Sequence, residues 1–260
     1  MCNKTLRTIL MTISRSYAVR RVGVVLGLFI GAPGAFGAIY SNDFEGTVGS
    51  EWSTNQVTTA PGGTGTRFLG RFGNIPCIGG VCCPASGSTL TLTNLPPHQG
   101  LTIEFDLYII CTWDGNAPGG PEPDKFAFSV DGQPPVINTT FANTLGNTQY
   151  YPDGSLNPPG TGAAAANTLG YTAAMCGHPH YIEDATYHLS FTVAHSGSQA
   201  VFQFGGGGPN QYCNDESWGL DNVSVTTIDA IPTVSEWGMM AMAGLVLLAG
   251  GVVIARRRVA

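Results

Sequence analysis

Leu101-Thr102-Ile103-Glu104-Phe105-Asp106-Leu107-Tyr108-Ile109-Ile110 is the stretch on which the fold turns. In an extended chain Leu101, Ile103, Phe105, Leu107 and Ile109 fall on one side, and Thr102, Glu104, Asp106 and Tyr108 on the other. A period of two describes a strand that is buried on one face and wet on the other. The alternation recurs in shorter form at 89–93, 125–130, 136–141, 186–194, 199–204 and 218–226. Glycine- and proline-rich stretches separate these runs, and nothing between residues 38 and 230 carries an apolar stripe of helical period. Many short strands with few helices bury their apolar faces best in two stacked sheets, so the body reads as an all-β sandwich.

Two stretches resist this reading. Residues 53–87 and 142–180 are dominated by Gly, Pro, Ala, Asn and Thr. They read as long loops, functional or mobile, that cysteines tie down. Gly205-Gly206-Gly207-Gly208 precedes Pro209 and no helix, so it reads as a flexible loop and not as a phosphate cradle.

The chain ends differ from the body. Arg15, Arg20 and Arg21 precede the apolar run Val22 to Ile30, and small residues follow through Ala38. This is the layout of a secretory signal, residues 1–37, cut before Ala38; translation starts at Met1 or at Met11. Gly31, Pro33 and Gly34 interrupt the run, which argues against a retained membrane helix. At the other end, residues 238–255 carry no charge. As a helix at about 1.5 Å per residue this segment reaches about 27 Å, close to the apolar thickness of a bilayer. Arg256-Arg257-Arg258 follows it and stays on the cytoplasmic side, which puts the body, residues 38–230, outside.

Without its ends the body holds sixteen acidic residues against Arg67, Arg71 and Lys125, a net of −13 with histidine neutral. Such a surface repels phosphate backbones and excludes nucleic acid as a partner class. Six cysteines remain in the body: Cys77, Cys82, Cys83, Cys111, Cys176 and Cys213. An even set in an exported chain reads as up to three disulfides among fifteen pairings. The competing reading is zinc, from the Cys77, Cys82 and Cys83 cluster or from Cys176 with His178 and His180, although no CxxC pair is present.

Residues 231–260 read as Ile231-Pro232-Thr233-Val234-Ser235-Glu236-Trp237-Gly238, the apolar segment and the arginine end. They resemble the IPTL-CTERM sorting signal of Gram-negative bacteria. Ile231, Pro232, Thr233, Trp237 and Gly238 match its motif, Arg256, Arg257 and Arg258 its basic end, and Val234 stands where leucine is usual. The resemblance implies a membrane helix at 238–255 and an exosortase-type sorting enzyme that cuts near the motif.

A second resemblance rests on Asn42-Asp43-Phe44-Glu45-Gly46 with Trp52, and on Trp218-Gly219-Leu220-Asp221-Asn222-Val223-Ser224-Val225. These look like the first and last strands of jelly-roll sandwiches of the carbohydrate-binding-module or galactose-binding-like type. The resemblance implies a structural calcium on Glu45 and Asp221, which can meet only if the first and last strands lie side by side. The competing reading has Asp43, Glu45 and Asp221 cap turns.

Asp114 and Asn116 leave one strand and Asp124 enters the next, so they converge at one end of the sandwich. Asp114 and Asp124 are weaker candidate cation ligands. Trp113 and Tyr108 beside them form a candidate aromatic platform for a glycan, or else a core tryptophan beside a turn aspartate. Glu104-Phe105-Asp106 resembles the ExDxxE strand of sandwich-fold β-glucan hydrolases, but Ile109 replaces the second glutamate. His98, His178, His180, His188 and His195 belong to no GxSxG elbow or HExxH helix. The expectation is a non-catalytic exported surface or matrix protein, and the alternative is a calcium-dependent carbohydrate-binding module.

Overall fold

The computed structural model describes residues 38–63, 65–73, 86–117, 123–177, 181–207, 215–228, 238 and 240–248. The signal segment, Ile231, Pro232, Thr233, Trp237 and the arginine end lie outside the described residues, as do Cys77, Cys82, Cys83, Cys213, His178 and His180.

Eleven strands are present among the described residues. They are β1 (Tyr40–Asn42), β2 (Val57–Thr59), β3 (Arg67–Phe72), β4 (Gly87–Thr93), β5 (Gly100–Cys111), β6 (Lys125–Val130), β7 (Ile137–Thr140), β8 (Ala165–Ala166), β9 (Asp184–Ala194), β10 (Gln199–Gly207) and β11 (Glu216–Ile228). The larger sheet runs β2-β3-β11-β5-β9-β8, with β1 also paired to β11, and the smaller runs β4-β10-β6-β7. The first and last strands lie side by side, with Tyr40 opposite Val225.

β5 is the axis of the larger sheet. Its inward residues Leu101, Ile103, Phe105, Leu107 and Ile109 are fully buried and meet Leu90, Phe126, Phe128, Phe202 and Phe204 of the smaller sheet. Phe105 packs among four rings, those of Phe126, Phe128, Phe191 and Phe204, with centroids 5.2 to 6.2 Å away. The outward alternation holds for Thr102, Glu104 and Asp106 and then fails. Tyr108 and Ile110 point outward and are buried, because segments around Ala60 and Leu169–Cys176 cover that end in a second apolar cluster.

The segment 53–87, read as a loop, contains β2 and β3. β3 escaped notice because both of its faces are covered: Phe68 packs into the second cluster while Leu69 and Phe72 enter the main core. Gly70, at φ +123°, breaks its period, and the register against β11 shifts between Trp218 and Gly219. Gly205, Gly206 and Gly207 are likewise strand and not flexible loop, paired with Ala127, Phe126 and Lys125. At Gly206 the missing side chain leaves room for Trp218, since a Cβ there would collide with its indole nitrogen.

Residues 142–177 are loop apart from β8, which pairs with β9, and three anchors hold them. Gln149, fully buried, accepts the N–H groups of Ala142 and Gly160 and donates to the carbonyls of Tyr151 and Thr161. Asp184, also fully buried, accepts the N–H groups of Thr168, Leu169 and Tyr171. Cys176 is disulfide-bonded to Cys111 across 65 residues.

Truncating the central ring should be severe. Phe105→Ala is expected to lower unfolding free energy by about 3–5 kcal/mol, measured by urea titration against the unaltered chain.

Candidate functional site

Three strand ends converge where β5 stops and β6 and β11 begin. β11 starts opposite the end of β5, with Glu216 across from Cys111, and β6 starts at Lys125. Asp124, 3% exposed, accepts the backbone N–H groups of Asp114 and Gly115. Asp114 accepts the Asn147 amide at 2.8 Å. The side chain of Glu216, 5% exposed, is hydrogen-bonded to that of Asp124. Two carboxyl groups taken out of water side by side cannot both stay charged. Burial first, and then the neighbouring acids, push Glu216 up to about 11. Burial raises Asp124 to about 6 against its donors. Glu216 therefore carries the proton and donates it to the Asp124 carboxylate.

The expected convergence of Asp114 and Asp124 is present, and its decisive member, Glu216, was not anticipated. Only the β5–β11 register brings Glu216 there, so no local motif could have signalled it. Next to it, the Thr112 hydroxyl donates to the backbone and side-chain oxygens of Asp215.

Glu45 and Asp221 occupy a second acidic region, beside the β1–β11 pair. Glu45 accepts the Arg67 N–H at 2.9 Å, and its carbonyl takes the Arg67 guanidinium at 2.7 Å. Glu45 also lines an open cavity of about 480 Å³ with Thr47, Asn55 and Arg67. Asp221 accepts the Tyr108 hydroxyl and the Asn222 N–H, each at 2.7 Å. Burial raises Asp221 to about 6, with the Asp106 and Glu45 charges adding to it. The chain turns sharply at Asn222, φ +50°, and its amide donates to Asp106. The other Asp106 oxygen meets His188 at 2.9 Å.

Calcium takes six to eight oxygens. Among the described residues no three His, Cys, Asp or Glu side chains form a metal set, and each candidate carboxylate already faces N–H or O–H donors. Glu45 with Asp221, and Asp114 with Asp124, are thus engaged in this structure by protein hydrogen-bond donors. Trp113 and Tyr108 do not form the expected platform. Trp113 is 4% exposed and its indole donates to the Ser217 carbonyl. Tyr108 is 5% exposed and lies edge-on to Phe68. Neither ring offers a face to a pyranose.

At the C-terminus, Gly238 and residues 240–248 are helical. Met240, Met242, Leu245, Val246, Leu247 and Leu248 are 55–76% exposed. Among the described residues no helix is long and apolar enough to cross a membrane; Met239 and residues 249–255 of the expected span lie outside them. Residues 229–258 match the family model described as the IPTL-CTERM motif. The chain carries an IPTL-CTERM motif. The motif implies an exported protein anchored through its C-terminus and an exosortase-type processing enzyme.

None of the curated proteins matches the chain. Solved structures similar to it include a family GH115 4-O-methyl-α-glucuronidase with specificity for decorated arabinogalactans, at 13% identity and TM-score 0.35, covering 76% of this chain and 19% of that one. The carbohydrate-binding module CBM6cm-2 from Cellvibrio mixtus lichenase 5A, in complex with cellotriose, aligns at 14% identity and TM-score 0.32, over 73% of this chain and 98% of that one. An exo-β-1,3-galactanase from Phanerochaete chrysosporium, with galactose, aligns at 13% identity and TM-score 0.31, over 72% and 29%. The chain thus spans about a fifth of the first of these proteins.

The carboxyl pair fixes a sign for the pH dependence. Both folded values, about 6 and about 11, lie above the ordinary 3.8 and 4.5, so the folded chain holds protons that the unfolded chain releases. The pair's contribution is complete below the ordinary carboxylate values and is lost as pH rises through the two folded values. Glu216→Gln, which donates to Asp124 without a titrating proton, should raise the melting temperature at about pH 8 by about 2–4 °C per kcal/mol regained. Added calcium should leave the melting temperature of the unaltered chain unchanged. A calcium-dependent rise that Glu216→Gln abolishes would assign the carboxyl pair to a cation instead of a proton.

Proposed function

We propose that this chain is a non-catalytic exported protein. Its acidic, disulfide-linked sandwich is tethered through residues 229–258 until an exosortase-type enzyme cuts near Ile231-Pro232-Thr233. The body is then left at the cell surface or in the surrounding matrix. The observation that carries this reading is the IPTL-CTERM match joined to a helical start that exposes apolar side chains at Met240, Met242 and 245–248. A helix apolar on successive faces, outside both core clusters, suits lipid better than water.

A non-catalytic role fits the buried acids. Glycosidase carboxyls stand about 5 to 9.5 Å apart so that a sugar or water fits between them, whereas Asp124 and Glu216 are hydrogen-bonded to each other. The alternative, a calcium-dependent carbohydrate-binding module, loses its stacking platform with Trp113 and Tyr108 inside the protein.

Intact-mass analysis of the protein recovered from its native cell envelope tests the tether. The expected mature chain starts at Ala38, ends near Thr233 and lacks Arg256–Arg258, while Trp237→Ala leaves the C-terminus uncut. A mature chain still carrying Arg258 would overturn the processing step.

A further inference from the structure

The end of the sandwich opposite the carboxyl pair is built around two histidines. His98 lies between β4 and β5 and is 5% exposed. His195 follows β9, with its side chain 7% exposed. Their rings are coplanar within 8° with centroids 4.9 Å apart, and His98 Nε2 stands 2.7 Å from His195 Nδ1. A close nitrogen contact between coplanar rings is an edge-to-edge hydrogen bond, not a face-to-face stack.

The remaining nitrogens settle where protons must be. His98 Nδ1 is 2.6 Å from the Pro96 carbonyl, which can only accept, so Nδ1 carries hydrogen. His195 Nε2 is 3.1 Å from the Gln199 carbonyl and 3.1 Å from Asp131 Oδ2, two acceptors, so it too carries hydrogen. Two neutral rings have then used their protons, and two bare lone pairs would face each other at 2.7 Å. A third proton is required between them.

We infer that His98 and His195 share one extra proton, and that this proton clamps the two sheets together at the end where the chain leaves β11 for its C-terminal segment. His98 and His195 flank β5 and β9 of the larger sheet, whereas Gln199 opens β10 and Asp131 follows β6 in the smaller one. Asp131 is anchored on its other oxygen by the Val201 N–H at 2.8 Å, so the counter-charge is held in place. Its carboxylate meets the pair at 3.1 Å. The strand ends packed there, Val130, Val193 and Ala194 around a cavity of about 230 Å³, bring no other titratable group. Gln99 links the clamp to the exit, accepting the His195 N–H at 3.2 Å and donating to the Ile228 carbonyl at 2.8 Å. Losing the shared proton sets two lone pairs against each other and loosens the grip on Gln99 and Ile228. Loss of the shared proton thus releases the tether-side end of the body, and its presence closes it.

The test is nitrogen-15 NMR of the full-length, histidine-labelled chain in detergent micelles at about pH 6 and about pH 9, on either side of the ordinary imidazole range. At the lower pH the expected pattern places protons on His98 Nδ1 and His195 Nε2, with a third proton coupled to both inner nitrogens. At the higher pH that resonance vanishes, and amide exchange at Gln99 and His195, corrected for base catalysis, speeds up by about ten-fold or more. His98→Gln, whose amide can donate to His195 Nδ1 without an added proton, should make this exchange independent of pH. A neutral pair with a single tautomeric N–H between the rings, or exchange equal at both pH values, would overturn the inference.

Discussion

The antiparallel pairing of β11 with β5 is the constraint on which the rest depends. It runs from Glu216 opposite Cys111 to Ile228 opposite Gly100, interrupted by a register shift between Asp221 and Ser224. Because the closing strand lies against the central one, its first residue reaches the buried Asp124. Its middle residue reaches Tyr108 and Asp106, and its last meets the loop that carries His98. β5 supplies the apolar face, while β11 delivers acidic groups to one end and the departing chain to the other. The hydrophobic contact between Phe105 and the smaller sheet holds this pairing in place, since an isolated strand pair is at best marginally stable in water.

The two ends of the sandwich hold protons for opposite reasons. At the β6 entrance, burial of two acids forces one of them to stay neutral. At the β6 exit, two imidazoles crowd together and need an extra positive charge, which Asp131 balances. A body with a net of −13 keeps its carboxylates in solvent where it can. Asp124, Glu216, Asp184 and Asp221 depart from that pattern, and the proton between the first two is a structural part of the fold.

Sequence periodicity located the strands whose two faces differ in polarity. β6 spans the anticipated residues, and β5, β9 and β11 extend theirs by one or two residues at one or both ends. It missed β3 because Phe68 and Leu69 are buried on opposite faces, which erases the alternation. It misjudged the glycines of β10 because the room that Gly206 leaves is for Trp218, on another strand. Asp114 and Asp124 were legible as neighbours across one connection; Glu216, Asp184 and Gln149 were not, since each acts on a partner set by register or by a distant loop. Trp113 and Tyr108 misled for a related reason: side-chain type suggested a platform, and only the cover provided by the second cluster and the core shows them inside. The C-terminal motif was readable because address signals are local in sequence.

The central claim is an exported sandwich whose long loop is cross-linked to β5. Trapping free thiols in intact native cells, digesting without reduction and mapping peptides by mass tests it most directly. The account predicts a linked pair of peptides containing Cys111 and Cys176, absent after reduction. Recovery of both cysteines as alkylated free thiols from the native protein would contradict it.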